Sequence, residues 1–168
     1  MCDREQVGLL IPIVDYEFVT FAKYCHLFAE RGCFVAISDV QTIGTCMDKV
    51  KTYGFFRQHG IPTTWTRELS TVSEAERHDF DYPVFVKPRV GRASLDAALI
   101  SSPEALAQHI KHGGEFIVQG VLHGQEYTVD VLNDLHGNTI AAVPRARIET
   151  KSGVSYKGRT VRHEELIA

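Results

Sequence analysis

Tyr82-Pro83-Val84-Phe85-Val86-Lys87-Pro88-Arg89 is a short run of strand-forming residues that ends in a cation. Val84, Phe85 and Val86 favour extended backbone. Pro88 lacks an N–H, so it stops the strand and sends the following loop away. A lysine emerging from buried β residues needs an anionic partner or an exit to water. On its chemistry alone, Lys87 either meets an anion or reaches out to water.

Downstream, residues 96–100 and 115–119 are further short extended runs, with a helix between them that Ser102 caps and Pro103 opens. Residues 125–132 alternate Tyr127, Val129 and Val131 against Thr128, Asp130 and Leu132, and residues 139–146 are expected to pair with them as a hairpin. Upstream, residues 48–59 read as a helix stopped by Gly60-Ile61-Pro62, with a strand, a turn and a short helix in 63–82. Lys49 stands at the start of that helix, where the macrodipole disfavours a cation unless an anion is present; taken alone, it is more simply a solvated lysine. Further back, residues 7–13 and 33–38 are apolar strands. Between them, Asp15 is a plausible N-cap, Phe18, Phe21, Ala22, Cys25, Phe28 and Ala29 fall at helical spacing, and Gly32 closes the helix. Strand, helix and strand in that order predict a βαβ unit with parallel strands.

At 168 residues, 44% hydrophobic and 23% charged, the chain has the composition of a globular protein. Its apolar runs are too short for a membrane span, so no membrane partner is expected. Asp3, Arg4 and Glu5 precede the first apolar stretch, which is the wrong order for a secretory leader. Cys2, Cys25, Cys33 and Cys46 form no C-x-x-C pair and read as reduced thiols, giving a cytoplasmic expectation. His109 and His112 share a helix face without a third ligand nearby, so no metal-ligating residues are assigned. No G-x-x-x-x-G-K-S/T or G-x-G-x-x-G motif occurs.

The net charge of −3 is unevenly placed: residues 145–162 hold six arginines and lysines against Glu149 alone, whereas the preceding 144 residues hold 12 basic and 18 acidic side chains. Such a segment favours an anion nearby, or is a solvated hairpin. Without aromatic interleaving, it does not make a nucleic-acid surface.

Three segments in order resemble the ATP-grasp family, in particular the carbamoyl phosphate synthase large subunit and related carboxylate–amine ligases. They are Cys46-Met47-Asp48-Lys49, the strand ending Lys87-Pro88, and the run Phe116-Ile117-Val118-Gln119-Gly120-Val121-Leu122-His123-Gly124-Gln125-Glu126. The implied fold is α/β, a partial ATP-grasp fold. It comprises a remnant of a Rossmann-like lobe (1–45), a connecting helix and linker (46–80), an α+β lid subdomain (81–122) and the start of the C-terminal subdomain (123–168). The resemblance implies ATP as cofactor. Lys49 and Lys87 would then meet its phosphates, and Ser94 would belong to the phosphate loop. Backbone groups of Gln119, Gly120, Val121 and Leu122 would read adenine, and Glu126, seven positions after Gln119, would take the ribose hydroxyls. Without that register, Glu126 is simply a solvent-facing strand residue. Arg145 and Arg147 would stabilise charge on an acyl phosphate, as catalytic residues.

The sequence also departs from the family. The loop Gly91-Arg92-Ala93-Ser94-Leu95-Asp96 has Ala93 and Asp96 where further glycines are expected, and Arg92 is the nearest cation to offset the carboxylate. No Glu-x-Asn occurs, so the ligands for the Mg2+ expected of the family are not found. The expectation is a chain clipped at both ends. In complete form it would be a ligase that joins a small carboxylate or bicarbonate to an amine or ammonia; the alternatives are a non-catalytic nucleotide-binding or assembly module and one fragment of a split enzyme. A homo-oligomer or a complementary chain is the expected partner.

Overall fold

The computed structural model describes residues 2–92, 94–151 and 154–167. A short helix α1 (Cys2–Glu5) leads to β1 (Leu9–Leu10), which pairs in parallel with β2 (Phe34–Val35) across helix α2 (Phe18–Ala29). The βαβ order is as expected, but the strands are two residues each rather than six or seven. Among the described residues each has only the other as a neighbour, and Pro12 has no N–H to extend the ladder. Asp15 does not cap α2: residues Asp15–Glu17 form a 3-10 turn, and Val14 precedes it without a side-chain cap. Gly32 does take the left-handed conformation expected of it, at φ +69°.

Helix α3 (Val40–Met47) is an element the residue pattern did not announce. Asp39 caps it, accepting from the N–H groups of Gln41 and Thr42 at 2.8 and 3.0 Å. β-Branched residues and Gly44 lower its intrinsic propensity, so the cap and tertiary packing hold it. Helix α4 (Lys49–Gln58) follows directly, capped by Asp48.

The central layer is a four-stranded antiparallel sheet in the order β3-β6-β4-β5, built from β3 (Thr66–Glu68), β4 (Val84–Pro88), β5 (Ala98–Ile100) and β6 (Phe116–Gly120). Helix α5 (Glu74–His78) lies between β3 and β4 in the chain, and α6 (Pro103–His109) between β5 and β6. Val84 and Val86 are fully buried with Leu69, Ile100, Leu106, Phe116 and Val118. Each such side chain contributes about 1.5–3 kcal/mol by leaving water. The two-residue strand period then turns Phe85 and Lys87 to the opposite face, together with Ile117 and Gln119 of β6, with Phe85 opposite Gln119 and Lys87 opposite Ile117.

The expected hairpin is one strand larger. β7 (Tyr127–Asn133), β8 (Thr139–Lys151) and β9 (Val154–Thr160) form a three-stranded antiparallel sheet, followed by a short helix α7 (Glu164–Ile167). β9 carries Ser155, Lys157, Gly158 and Arg159, so its sequence lacks the apolar alternation that marks a strand. Among the described residues, no helix is long and apolar enough to cross a membrane.

Candidate functional site

The polar face of the central sheet opens into two clefts that share Lys49, Phe85 and Lys87. The first, ≈ 510 Å³, is walled by Tyr53 and Phe56 of α4, by Thr64 and Thr66, and by Ile117, Gln119, Gly120, Val121 and Leu122. The second, ≈ 430 Å³, contains Gly91, Ser94, Glu126, Arg147 and Thr150. Nine of the ten residues singled out from the sequence thus line one cleft or the other. Arg145 lines neither. Its Nε and Nη2 donate to the Asp130 carboxylate at 3.1 and 3.2 Å.

Lys49 and Lys87 define the electrostatics. Among the described residues, no carboxylate forms an ion pair with either ammonium; Lys49 Nζ instead donates to the carbonyls of Arg89 (3.4 Å) and Gly91 (3.2 Å). Burial pulls the pKa of both lysines below the ordinary value of 10.5. The positive charge of Lys49 depresses Lys87 further, while the Asp48 carboxylate partly offsets the effect on Lys49. Two half-buried cations facing one space form a site in want of an anion. The linkage follows: a lysine whose folded pKa lies below its unfolded value binds fewer protons in the fold. The protein should therefore gain stability as pH rises from the depressed values toward 10.5. Urea unfolding between about pH 8 and about pH 10 checks this, and adding pyrophosphate at the lower pH should supply part of the same gain.

The lysines are placed by an ion-pair cluster that the sequence reading did not assign. Asp48, 8% exposed, caps α4 through Val50 N (2.9 Å) and Lys51 N (3.3 Å). Its carboxylate also takes a bidentate bond from Arg89, whose Nη1 reaches Glu68 at 2.8 Å. Lys49 N donates to Arg89 O at 3.1 Å, which fastens the start of α4 to the end of β4. Lys49 and Arg89 are 40 residues apart, and only the fold brings them together.

Glu126 and Arg147 meet across β7 and β8: their side chains form an ion pair, and Arg147 N donates to Glu126 O at 3.0 Å. Glu126 remains 63% exposed at the mouth of the cleft, so its carboxylate keeps acceptor capacity. The basic segment is largely neutralised in the same manner. Arg145 pairs with Asp130, Lys157 with Glu149 and Arg162 with Glu164. Four of the six basic residues of 145–162 thus have a carboxylate partner.

The loop after β4 shows how non-glycine residues take glycine-like backbone. Ser94 and Asp96 both adopt left-handed φ, +52° and +55°; Ala93 lies outside the described residues. Asp96 does not line the cleft; its carbonyl oxygen lies 3.1 Å from His109 Nε2. Arg92 does not neutralise it but lies 4.9 Å over the Tyr16 ring. Asp96→Gly removes a left-handed side chain, and should raise stability in thermal unfolding by about 0.5–1 kcal/mol.

Two half-buried ammonium groups beside an apolar cleft fit a nucleotide carrying phosphates. Among the described residues, no group of three His, Cys, Asp or Glu side chains is placed to hold a metal ion.

Comparison with known proteins gives the same picture. The sequence profile of the ATP-grasp domain matches residues 46–166. A D-alanine–D-alanine ligase of Corynebacterium glutamicum is 28% identical over 161 residues, covering 87% of this chain and 44% of that protein. A carbamoyl-phosphate synthase of Methanobrevibacter smithii is 22% identical over 149 residues, covering 87% and 40%. The likeness to carbamoyl phosphate synthase is thus one among several ligase relatives, and the chain spans less than half the length of each of these two. In fold, it resembles the biotin carboxylase domain of Hydrogenobacter thermophilus 2-oxoglutarate carboxylase, solved as a dimer with MgADP, ADP and bicarbonate. The TM-score is 0.73 at 16% identity, over 92% of this chain and 37% of that one. The lysine-lined cleft, the order of its motifs and the profile match converge: this chain belongs to the ATP-grasp family.

Proposed function

We propose that the cleft binds ATP, and that the complete protein is an ATP-dependent carboxylate–amine ligase. The observation that carries this reading is the pair Lys49 and Lys87, half-buried, without carboxylate ion-pair partners among the described residues, and common to both clefts. The base would lie in the apolar cleft against Phe85, Ile117, Val121 and Leu122, and Gln119 and Gly120 would border its edge. Lys49 and Lys87 would hold the phosphates, with Ser94 beside them and Glu126 at the ribose hydroxyls.

In the chemistry such a site supports, a carboxylate oxygen attacks the γ-phosphorus and ADP departs, leaving an acyl phosphate. An amine then attacks the acyl carbon and phosphate leaves. Arg147, at the cleft and paired there with Glu126, would balance charge on the phosphorylated carboxylate; Arg145, outside the clefts, would do so only by releasing Asp130. A small carboxylate or bicarbonate is the proposed substrate. Mg2+, when bound, would neutralise the transferring phosphoryl group. A complementary chain or a longer form of this protein is the proposed source of ligands for it.

A second reading, a nucleotide-binding or assembly module without turnover, draws support from the loop. Ser94 and Asp96 put side chains at left-handed positions where glycines would let backbone amides close on the phosphates. Calorimetric titration with a non-hydrolysable ATP analogue, with and without magnesium, tests the binding. Saturable heat is expected, and none under either condition overturns it. Magnesium-dependent phosphate release then separates a ligase from a module.

A further inference from the structure

We propose that Cys2 and Cys33 form a redox-responsive pair, closing into a disulfide that ties helix α1 to the start of β2 when a small-molecule disulfide such as oxidised glutathione is present. The inference stands apart from the nucleotide reading, since neither residue lines the two clefts described above.

The backbone brings the two residues together across the βαβ unit. Gln6 takes a left-handed φ of +52°, and Val7 N donates to Cys2 O at 3.0 Å, which folds α1 back on the segment that follows it. Phe34 N donates to Gly8 O at 2.9 Å, so the chain enters β1 beside the start of β2. Asp3 pairs with Arg31 at 3.2 Å, and Cys2 shares a cleft of ≈ 250 Å³ with Leu27, Phe28 and Arg31. Held by these contacts, the Cys2 and Cys33 side chains meet, both as thiols in this structure.

The two sulfurs differ in access. Cys33 is 0% exposed, whereas Cys2 is partly exposed and borders the cleft. Burial, and then the neighbouring Cys2 thiol, raise the Cys33 thiol above its ordinary value of 9.0, so it stays protonated and slow toward reagents in solution. The order of reaction follows from this. The Cys2 thiolate attacks one sulfur of the glutathione disulfide, forming a mixed disulfide and releasing one glutathione thiolate. Cys33 then gives up its proton and attacks the Cys2 sulfur, displacing the second glutathione. The protein loses two protons and two electrons, and the oxidant carries both away as two glutathione thiols.

The bond would act where the ladder is shortest. β1 and β2 share two residue pairs, and among the described residues neither pairs with another strand. A cross-link enclosing α2 takes conformational freedom from the unfolded chain, and so supports a unit with few interstrand bonds of its own.

The experiment treats wild type and a Cys25→Ser/Cys46→Ser variant with oxidised glutathione, followed by non-reducing peptide mapping and thermal unfolding. Both proteins should yield a cross-linked peptide joining Cys2 to Cys33, and the midpoint of unfolding should rise by about 5 °C or more, reversibly with dithiothreitol. Cys33→Ala should stop at glutathione bound to Cys2, with no such rise. Should Cys33→Ala fail to fold, Cys2→Ser tests the same order, since Cys33 should then stay a free thiol through the same treatment. Glutathione left on Cys2 in the wild type, two free thiols after treatment, or a bridge that leaves the midpoint unmoved overturns the proposal.

Discussion

Lys87→Ala should lower affinity for a non-hydrolysable ATP analogue by about 100-fold, while leaving the stability of the ligand-free protein unchanged or slightly higher. The two halves of this expectation have one cause. Lys87 lines both clefts, and a phosphate there would accept a charge-assisted hydrogen bond from a partly desolvated ammonium. Without the anion, the same ammonium is unfavourably placed: burial and the charge of Lys49 both depress its pKa. Removing it relieves that repulsion and gives up the contact with the Phe85 ring. Calorimetry and thermal unfolding on the same sample separate the effects. A variant that loses stability in parallel with affinity would mark Lys87 as a structural residue and remove the main support for the site.

Asp48→Ala should act in the opposite way, destabilising the fold by about 3 kcal/mol, a large share of what a domain of this size has. Asp48 combines two roles: it caps α4 and it neutralises Arg89 at the junction of α4 with β4. Truncation leaves two N–H groups of α4 uncapped and Arg89 with Glu68 as its remaining carboxylate. Asp48→Asn keeps an oxygen for the cap and should cost about half as much. The hydrogen bond from Arg89, more than any other contact, holds the Asp48 carboxyl below the ordinary carboxylate range. A carboxyl whose pKa is lower in the fold contributes its stability above the unfolded value of 3.8, and loses it as pH falls through the folded value. Urea unfolding at about pH 7 and about pH 3 should show that acid sensitivity in wild type and less of it in Asp48→Asn. Because Asp48 also fixes the start of α4, nucleotide affinity should fall in both variants through misplacement of Lys49.

Much of the fold was legible because it depends on local chemistry. The alternation in Val84-Phe85-Val86-Lys87 divides the strand between a core face and a cleft face, whatever lies across from it. Ser102-Pro103 and Gly32 announce helix boundaries by their own conformational preferences. Elements without such signals went unread: α3 is held by a cap against weak propensity, and β9 is a polar strand stabilised by pairing with β8.

The candidate site divides along the same line. The sequence by itself carried the family, and singled out the two lysines and the spacing from Gln119 to Glu126, through short motifs that are legible in order along the chain. The tertiary structure alone decided which charges are already satisfied. Arg145 and Arg147, two residues apart, look equivalent in the chain, yet strand register gives one to Asp130 outside the clefts and the other to Glu126 at the cleft. Arg89 acquires its role only from a partner 41 residues away. Hydrophobic periodicity reports the side of an element that is buried, whereas the partner of a polar group is set by register between elements, and no stretch of either strand contains that information alone.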